Sequence, residues 1–189
     1  WLMDEVYRTE GYAAAQAEIS EDMLGENRVF FLPYLMGERS PINDTNARGT
    51  FIGMTMDTTR ADLVQAVLEG VAYAIRDSVE VARSLGITID SSKICGGGAK
   101  SPLWKRIFAN VLNAELEVPV SEQGPGMGGA MLAMVACGEY ASVQECCHQL
   151  CAVADVVTPE PALVAKYEAR YQQFRQIYPA LKSVFAAIA

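Results

Sequence analysis

Residues 92–104 read Ser-Lys-Ile-Cys-Gly-Gly-Gly-Ala-Lys-Ser-Pro-Leu-Trp. A short β-rich run, Ser92 to Cys95, empties into Gly96, Gly97 and Gly98. Ser101 and Pro102 then open a helix: the serine hydroxyl accepts from backbone N–H groups of the first turn, and proline sits where a missing N–H does no harm. A strand that ends in bare backbone and gives way to a capped helix lets a ligand touch the chain where no Cβ intervenes. The helix start adds free N–H groups and a positive partial charge for an anion or a polar ring edge. Ile94 to Ser101 is therefore the candidate ligand segment. A phosphate loop of the G-x-x-x-x-G-K-[ST] type is excluded, because Ala99 separates Gly98 from Lys100. Without a ligand the same glycines would serve as a tight turn.

Outward from this segment the pattern is mixed. Apolar Leu103, Trp104, Ile107, Phe108, Val111 and Leu112 give the helix after Ser101 one buried face, and residues 115–120 read as the next strand. Upstream, a capping box at Thr59 and Asp62 starts a long helix over about 60–85, with Val64, Leu68, Val71, Ile75, Val79 and Ala82 as its apolar stripe and Gly86 as its stop. Gly70 in its middle predicts that another backbone comes close, since glycine there is otherwise unfavourable by about 1 kcal/mol against alanine. Residues 28–35 and 49–54 read as strands around a polar loop at 38–48, and 1–8 and 12–24 as helices. Downstream, a glycine-rich turn over 124–129 is expected to open a helix to about 137, and further helices are expected over 142–152 and 160–182, the last carrying Tyr167, Tyr171, Phe174 and Tyr178 on one face. The alternation of strand and helix predicts an α/β fold with part of the sheet parallel. The division expected is an α/β part over about 1–139 and C-terminal helices over about 140–189.

Composition narrows the function. Half of the 189 residues (51%) are hydrophobic and 20% charged, which is globular rather than disordered. With 15 basic against 23 acidic residues the net charge is -8, and no basic cluster offers a surface to nucleic-acid phosphates. No apolar run reaches the roughly 20 residues of a membrane span, and no secretory leader pattern is evident. The start on Trp1, inside an amphipathic pattern, predicts a portion of a longer chain. Five cysteines, an odd number, fit reduced thiols of a cytoplasmic protein better than a disulfide framework. Cys146, Cys147, His148 and Cys151 crowd one short helix, so a tetrahedral zinc site is not expected.

Gly124, Gly126 and Gly129 satisfy G-x-G-x-x-G, yet helix rather than a strand ending in an acidic residue is expected next, which argues against a dinucleotide site. His148, the single histidine, has no nearby nucleophile or carboxylate partner, so a catalytic triad is not expected. Glu38, Asp44 and Asp57 are candidate carboxylates in loops, where a solvated or paired role is the expected one.

Residues 49–69 read Gly-Thr-Phe-Ile-Gly-Met, seven residues, then Asp-Leu-Val-Gln-Ala-Val-Leu-Glu. This resembles the second signature of the FGGY carbohydrate kinases, with Gly49, Gly53, Asp62, Leu63, Ala66 and Glu69 at its places. Pro33 to Pro41 and Asp44 to Gly49 look like the xylulokinase branch, and Gly96 to Trp104 resembles the family's adenosine motif. The resemblance runs from Trp1 to the final helix and implies the distal part of the C-terminal lobe of an actin-like, ribonuclease-H-like ATPase, a mixed sheet flanked by helices.

It further implies ATP binding at Gly96, Gly97, Gly98, Ala99 and Ser101, with Gly97 packed on the nucleotide, Ser101 a polar contact, and Gly128 and Gly129 beside the pocket. Pro125, Gly126 and Met127 depart from the family's usual Ala-Leu-Gly-Ala-Ala. Catalytic residues and most ligands of Mg2+ are expected upstream of this chain, in segments that include an N-terminal lobe. The implied reaction moves the γ-phosphoryl of ATP to D-xylulose, giving D-xylulose 5-phosphate. Another sugar or polyol kinase of the family (glycerol, gluconate or ribulose type), a non-catalytic actin-like nucleotide-binding module and a dinucleotide oxidoreductase are the alternatives. Self-association as a homodimer is compatible with this reading.

Overall fold

The computed structural model describes residues 1–8, 11–120 and 124–188. A two-stranded antiparallel ladder joins β1, Phe30–Leu32, to β2, Thr50–Ile52, with Phe31 opposite Phe51. Both strands are shorter than the sequence runs: Pro33 withdraws the next donor after β1, and Gly53 turns the chain out of β2 at φ +88°. A three-stranded sheet holds β3 (Ser91–Lys93), β4 (Glu115–Pro119) and β5 (Val153–Val157) in that order. β3 and β4 are parallel and joined by helix α3, Pro102–Leu112, while β5 returns antiparallel to β4. The mixed sheet is the one expected, but β5 lies in the part expected to hold helices alone. Its Val-Ala-Asp-Val-Val sequence shows little alternation, and pairing with β4 rather than its own pattern makes it a strand.

The remaining helices are α1 (Tyr12–Ala17), α2 (Arg60–Ser84), α4 (Gly124–Ala136), α5 (Val143–Leu150) and α6 (Pro161–Ile188). The expected helix over 12–24 is broken: after α1, Ser20 takes an extended backbone (φ -72°, ψ 135°) and starts a separate 3-10 turn, Glu21–Met23. The first helix is reduced to a π-helical turn, Leu2–Val6. α6 runs past its expected end and through Pro179. None of the helices among the described residues is long and apolar enough to cross a membrane.

Helix α2 is the organising element. Its capping box is formed as the sequence predicts: Asp62 N–H donates to Thr59 Oγ1 at 3.2 Å, and Thr59 N–H to Asp62 Oδ2 at 2.8 Å. Val64 and Leu68 of the expected stripe are buried, but the buried face then turns to Glu69, Gly70, Ala72, Tyr73 and Arg76, leaving Ile75 44% exposed. The reason is that α2 packs on two sides, against β1 and against α3 and α6. Polar residues are tolerated there because they are paired. Arg76 bonds Glu168 of α6 and lies over the Tyr171 ring, 4.0 Å from its centroid. The core joins Leu68, Ala72 and Tyr73 to Ile107, Phe108 and Val111 of α3 and to Tyr167, Tyr171 and Phe174 of α6.

Gly70 does what its position in the helix predicts. A Cβ there would lie 2.1 Å from the carbonyl oxygen of Phe31, so α2 and β1 meet backbone to backbone. Helix propensity favours Gly70→Ala by about 1 kcal/mol, whereas forcing the two elements apart is destabilising by about 1–3 kcal/mol. The collision is with backbone that cannot swing away, so the variant is expected to unfold at lower urea concentration than the parent; a higher midpoint would contradict the close approach.

Candidate functional site

The end of β3 leads directly into a cleft. Ile94 N–H still donates to Glu117 O of β4 at 3.0 Å, which holds the strand end in the sheet. Gly96 then turns the chain at φ +84°, a conformation open to glycine, and 97–100 form a single 3-10 turn before α3. Ser101 caps α3 by accepting from Trp104 N–H at 3.0 Å. The same hydroxyl donates to Gln16 Oε1 of α1, so one serine fixes both the helix start and the opposite wall. The Trp104 indole N–H donates to Leu68 O of α2 at 3.0 Å, and its ring lies under Gly98, where a Cβ would sit 3.0 Å from ring carbons.

These elements enclose a cleft of about 710 Å³, lined among others by Tyr12, Gln16, Gly97, Gly98, Ser101 and Trp104. That size suits a small molecule or cofactor. At Gly97 a Cβ would meet nothing within 4 Å, so its backbone face is open to the cleft. The structure thus brings Gly97, Gly98, Lys100 and Ser101 of the predicted segment to the cleft. Gly96 is outside its lining and shapes the turn, and the Ala99 side chain is buried, 6% exposed, pinning that turn to the core. Tyr12 and Gln16 were not singled out in the sequence, since nothing in a helix far upstream marks it as the facing wall.

Lys100 brings the one positive side chain of the lining, and it is already engaged; Pro102 has no N–H and that of Trp104 is taken by Ser101. Alanine, proline and leucine side chains supply much of the rest of the wall (Ala13, Ala17, Pro102, Leu103). This apolar part of the surface suits the flat face of a heteroaromatic ring. The lining includes no carboxylate and no histidine. Among the described residues, no group of three or more His, Cys, Asp and Glu side chains is arranged to hold a metal ion.

The other sequence candidates sit elsewhere. Gly128 and Gly129 lie within α4 and are not in the cleft lining. Gly124, Gly126 and Gly129 all fall inside α4 rather than in a turn before it, and the next strand, β5, is antiparallel to β4, so the dinucleotide pattern has the wrong context. Asp44 accepts from Tyr178 O–H at 2.6 Å and from Asn46 N–H at 2.8 Å, and the Tyr178 bond holds its carboxyl below the ordinary value. Glu38 accepts from Ser40 N–H at 3.1 Å within the same loop.

The residues of the 49–69 pattern form a joint rather than a pocket. A Cβ on Gly53 would meet Arg28 O at 2.5 Å, and one on Gly49 the Leu35 side chain at 2.5 Å. Ala66 is buried with Val29 and Phe31. Glu69, 1% exposed, accepts at Oε1 from Gln65 Nε2 (2.7 Å), Tyr167 O–H (3.1 Å) and Gly25 N–H (3.4 Å). Burial outweighs these bonds and pushes its carboxyl up to about 7.

With this geometry in place, the fold is that of a C-terminal lobe of the actin-like ATPase class. Gluconate kinase from Lactobacillus acidophilus superimposes with a TM-score of 0.88 over 100% of this chain and 38% of its own, at 24% identity, a likeness of fold. A ligand-bound xylulose kinase from the same organism gives 0.86 at 25% identity, again over 100% and 38%. In sequence, xylulose kinase of Staphylococcus epidermidis is 33% identical over 186 residues, 98% of this chain and 38% of that protein. Residues 1–137 match the C-terminal domain of the FGGY family of carbohydrate kinases, and the chain belongs to that family. It spans 38% of the length of the curated relatives matched first.

The Glu69 carboxyl gives a pH signature. Its native value, about 7, lies above the ordinary 4.5, so the folded chain holds a proton that the unfolded chain releases. Its contribution to stability is full below about pH 4.5 and is lost as pH rises towards 7, by up to about 3 kcal/mol. Denaturant titrations across that range should show this loss, and Glu69→Gln should flatten it. A wild-type slope retained in the variant would place the titrating group elsewhere.

Proposed function

We propose that this chain is the nucleotide-binding lobe of an ATP-dependent carbohydrate kinase acting on a pentulose, D-xylulose, to give D-xylulose 5-phosphate. The observation that carries the reading is the open backbone face of Gly97 in a cleft floored by Trp104 and closed across by Gln16. A planar base lies flat on glycine backbone, with Ser101 and Gln16 as polar atoms at its edge. Xylulose kinases among the relatives support the choice of sugar.

Phosphoryl transfer depends on positioning and on neutralising charge at the transferred group. The wall described here supplies the first: it anchors the base, while α3 directs the positive end of its dipole towards the cleft. The lining has no general base and no carboxylate for Mg2+, and these residues do not fit that ion. In the proposed enzyme the ion and the base belong to the other lobe and to the triphosphate itself.

Two outcomes follow. A coupled assay of the isolated chain with ATP and D-xylulose should give background turnover only; sustained phosphorylation would overturn the division of labour between lobes. In the full-length enzyme Gly97→Val should weaken ATP binding 10-fold or more, about 1.4 kcal/mol or above. Sugar affinity should change much less. Because a Cβ at Gly97 meets no neighbour and its φ is not in the left-handed region, the variant should fold. Wild-type nucleotide affinity in a folded Gly97→Val enzyme would place the base elsewhere.

A further inference from the structure

Helices α4 and α5 assemble a group of sulfur atoms outside the cleft lining. Met131 projects from α4, Cys147 from α5, and Cys151 forms the C-terminal cap of α5. Met131 Sδ lies 3.9 Å from Cys147 Sγ and 3.9 Å from Cys151 Sγ, so both thiols donate to one thioether. Residues four apart share a helix face, which is why Cys147 and Cys151 meet the same neighbour. Cys146, just before them, is fully buried and His148, between them, is exposed, so each is directed differently from the trio.

We propose that Met131, Cys147 and Cys151 form a three-coordinate binding site for a soft monovalent metal ion, copper(I) or silver(I). An ion bonded in one plane to three sulfurs at about 2.3 Å, the length of a metal–thiolate bond, holds them about 4.0 Å apart. The two Met131 edges are within about a tenth of an ångström of that separation. Ligand chemistry selects the ion: thiolate and thioether are soft donors that favour copper(I), whereas hard cations need oxygen. Structural zinc requires four ligands of the Cys, His or carboxylate type, and only two of these three sulfurs qualify.

On binding, each thiol loses its proton to solvent, leaving two thiolates and one monovalent cation, a net charge of minus one. That charge is left to solvent, since the nearby Lys93 ammonium of β3 is already paired with Glu117. All three sulfur-bearing side chains are half-buried, so an ion can enter from solvent and is then partly shielded from it.

The test is an anaerobic titration of the purified protein against the copper(I)–bicinchoninate complex, repeated with silver(I). The expected result is withdrawal of one ion per chain, with thermal midpoints checked for every variant. Replacing the exposed Cys95 and Cys137 by serine should leave capture unchanged. Cys147→Ser or Cys151→Ser should abolish it. Met131→Leu, which conserves volume and should fold, should weaken it at least 10-fold. In the wild-type chain silver(I) should also protect Cys147 and Cys151 from alkylation, a readout that needs no variant. Wild-type affinity in Met131→Leu, capture that follows Cys95 or Cys137, zinc retained one per chain after dialysis, or no ion withdrawn at all would each overturn the site.

Discussion

The backbone contact between Gly70 and the Phe31 carbonyl sets the rest of the lobe. It fixes how deeply α2 sits against β1, and therefore where the Leu68 carbonyl, half a turn earlier, is presented. That carbonyl receives the Trp104 indole N–H at 3.0 Å. The indole ring in turn supports Gly98 from below. A chain of contacts through a single side chain, Trp104, thus runs from a helix–strand crossing to the floor of the cleft. On the opposite side of the crossing, Glu69 gathers the backbone at Gly25 and the Tyr167 hydroxyl of α6 onto one oxygen. Glycine and glutamate are adjacent because one position must approach a strand while the next turns into the space left between three elements.

Much of this was legible in the sequence. Thr59 and Asp62, Ser101 and Pro102, and Gly70 each carry a local rule with one physical outcome, and each outcome is present in the structure. The glycine run at 96–98 named the turn, yet only tertiary contacts separate its members: Gly97 faces open space, Gly98 rests on a ring and Gly96 supplies the positive φ. Long-range pairing was less visible. β5 owes its existence to β4, and the turn of α2's buried face towards Tyr73 and Arg76 depends on α6, more than 90 residues away at the Arg76–Glu168 pair. Gln16 joined the site because α1 packs across from Ser101, which no spacing rule encodes. Met131 likewise joins two cysteines from another helix.

Two sets of residues that sequence comparison groups together perform separate tasks here. The 49–69 pattern contains buried, capped or sterically confined positions and makes a joint between β1, β2, α2 and α6. The 96–104 segment forms a surface. Loss of a joint residue should therefore be felt first as lost folding stability, and, in the proposed nucleotide-binding lobe, loss of a surface residue as lost nucleotide affinity in a folded chain. Burial tells these apart: Ala66 and Glu69 are each 1% exposed, whereas Gly96 and Gly97 are exposed.

The hydrogen bond from Ser101 to Gln16 spans the cleft between a capped, well-packed helix and a helix of six residues. A bond of this kind contributes about 1 kcal/mol net in water. It is one tie among several, since Ala15 of α1 is 1% exposed in the core and the Tyr12 hydroxyl donates to Asp4. What Ser101 adds is alignment: one hydroxyl serves both the first turn of α3 and the face of α1 that carries Gln16, so a change at either residue is felt on both walls.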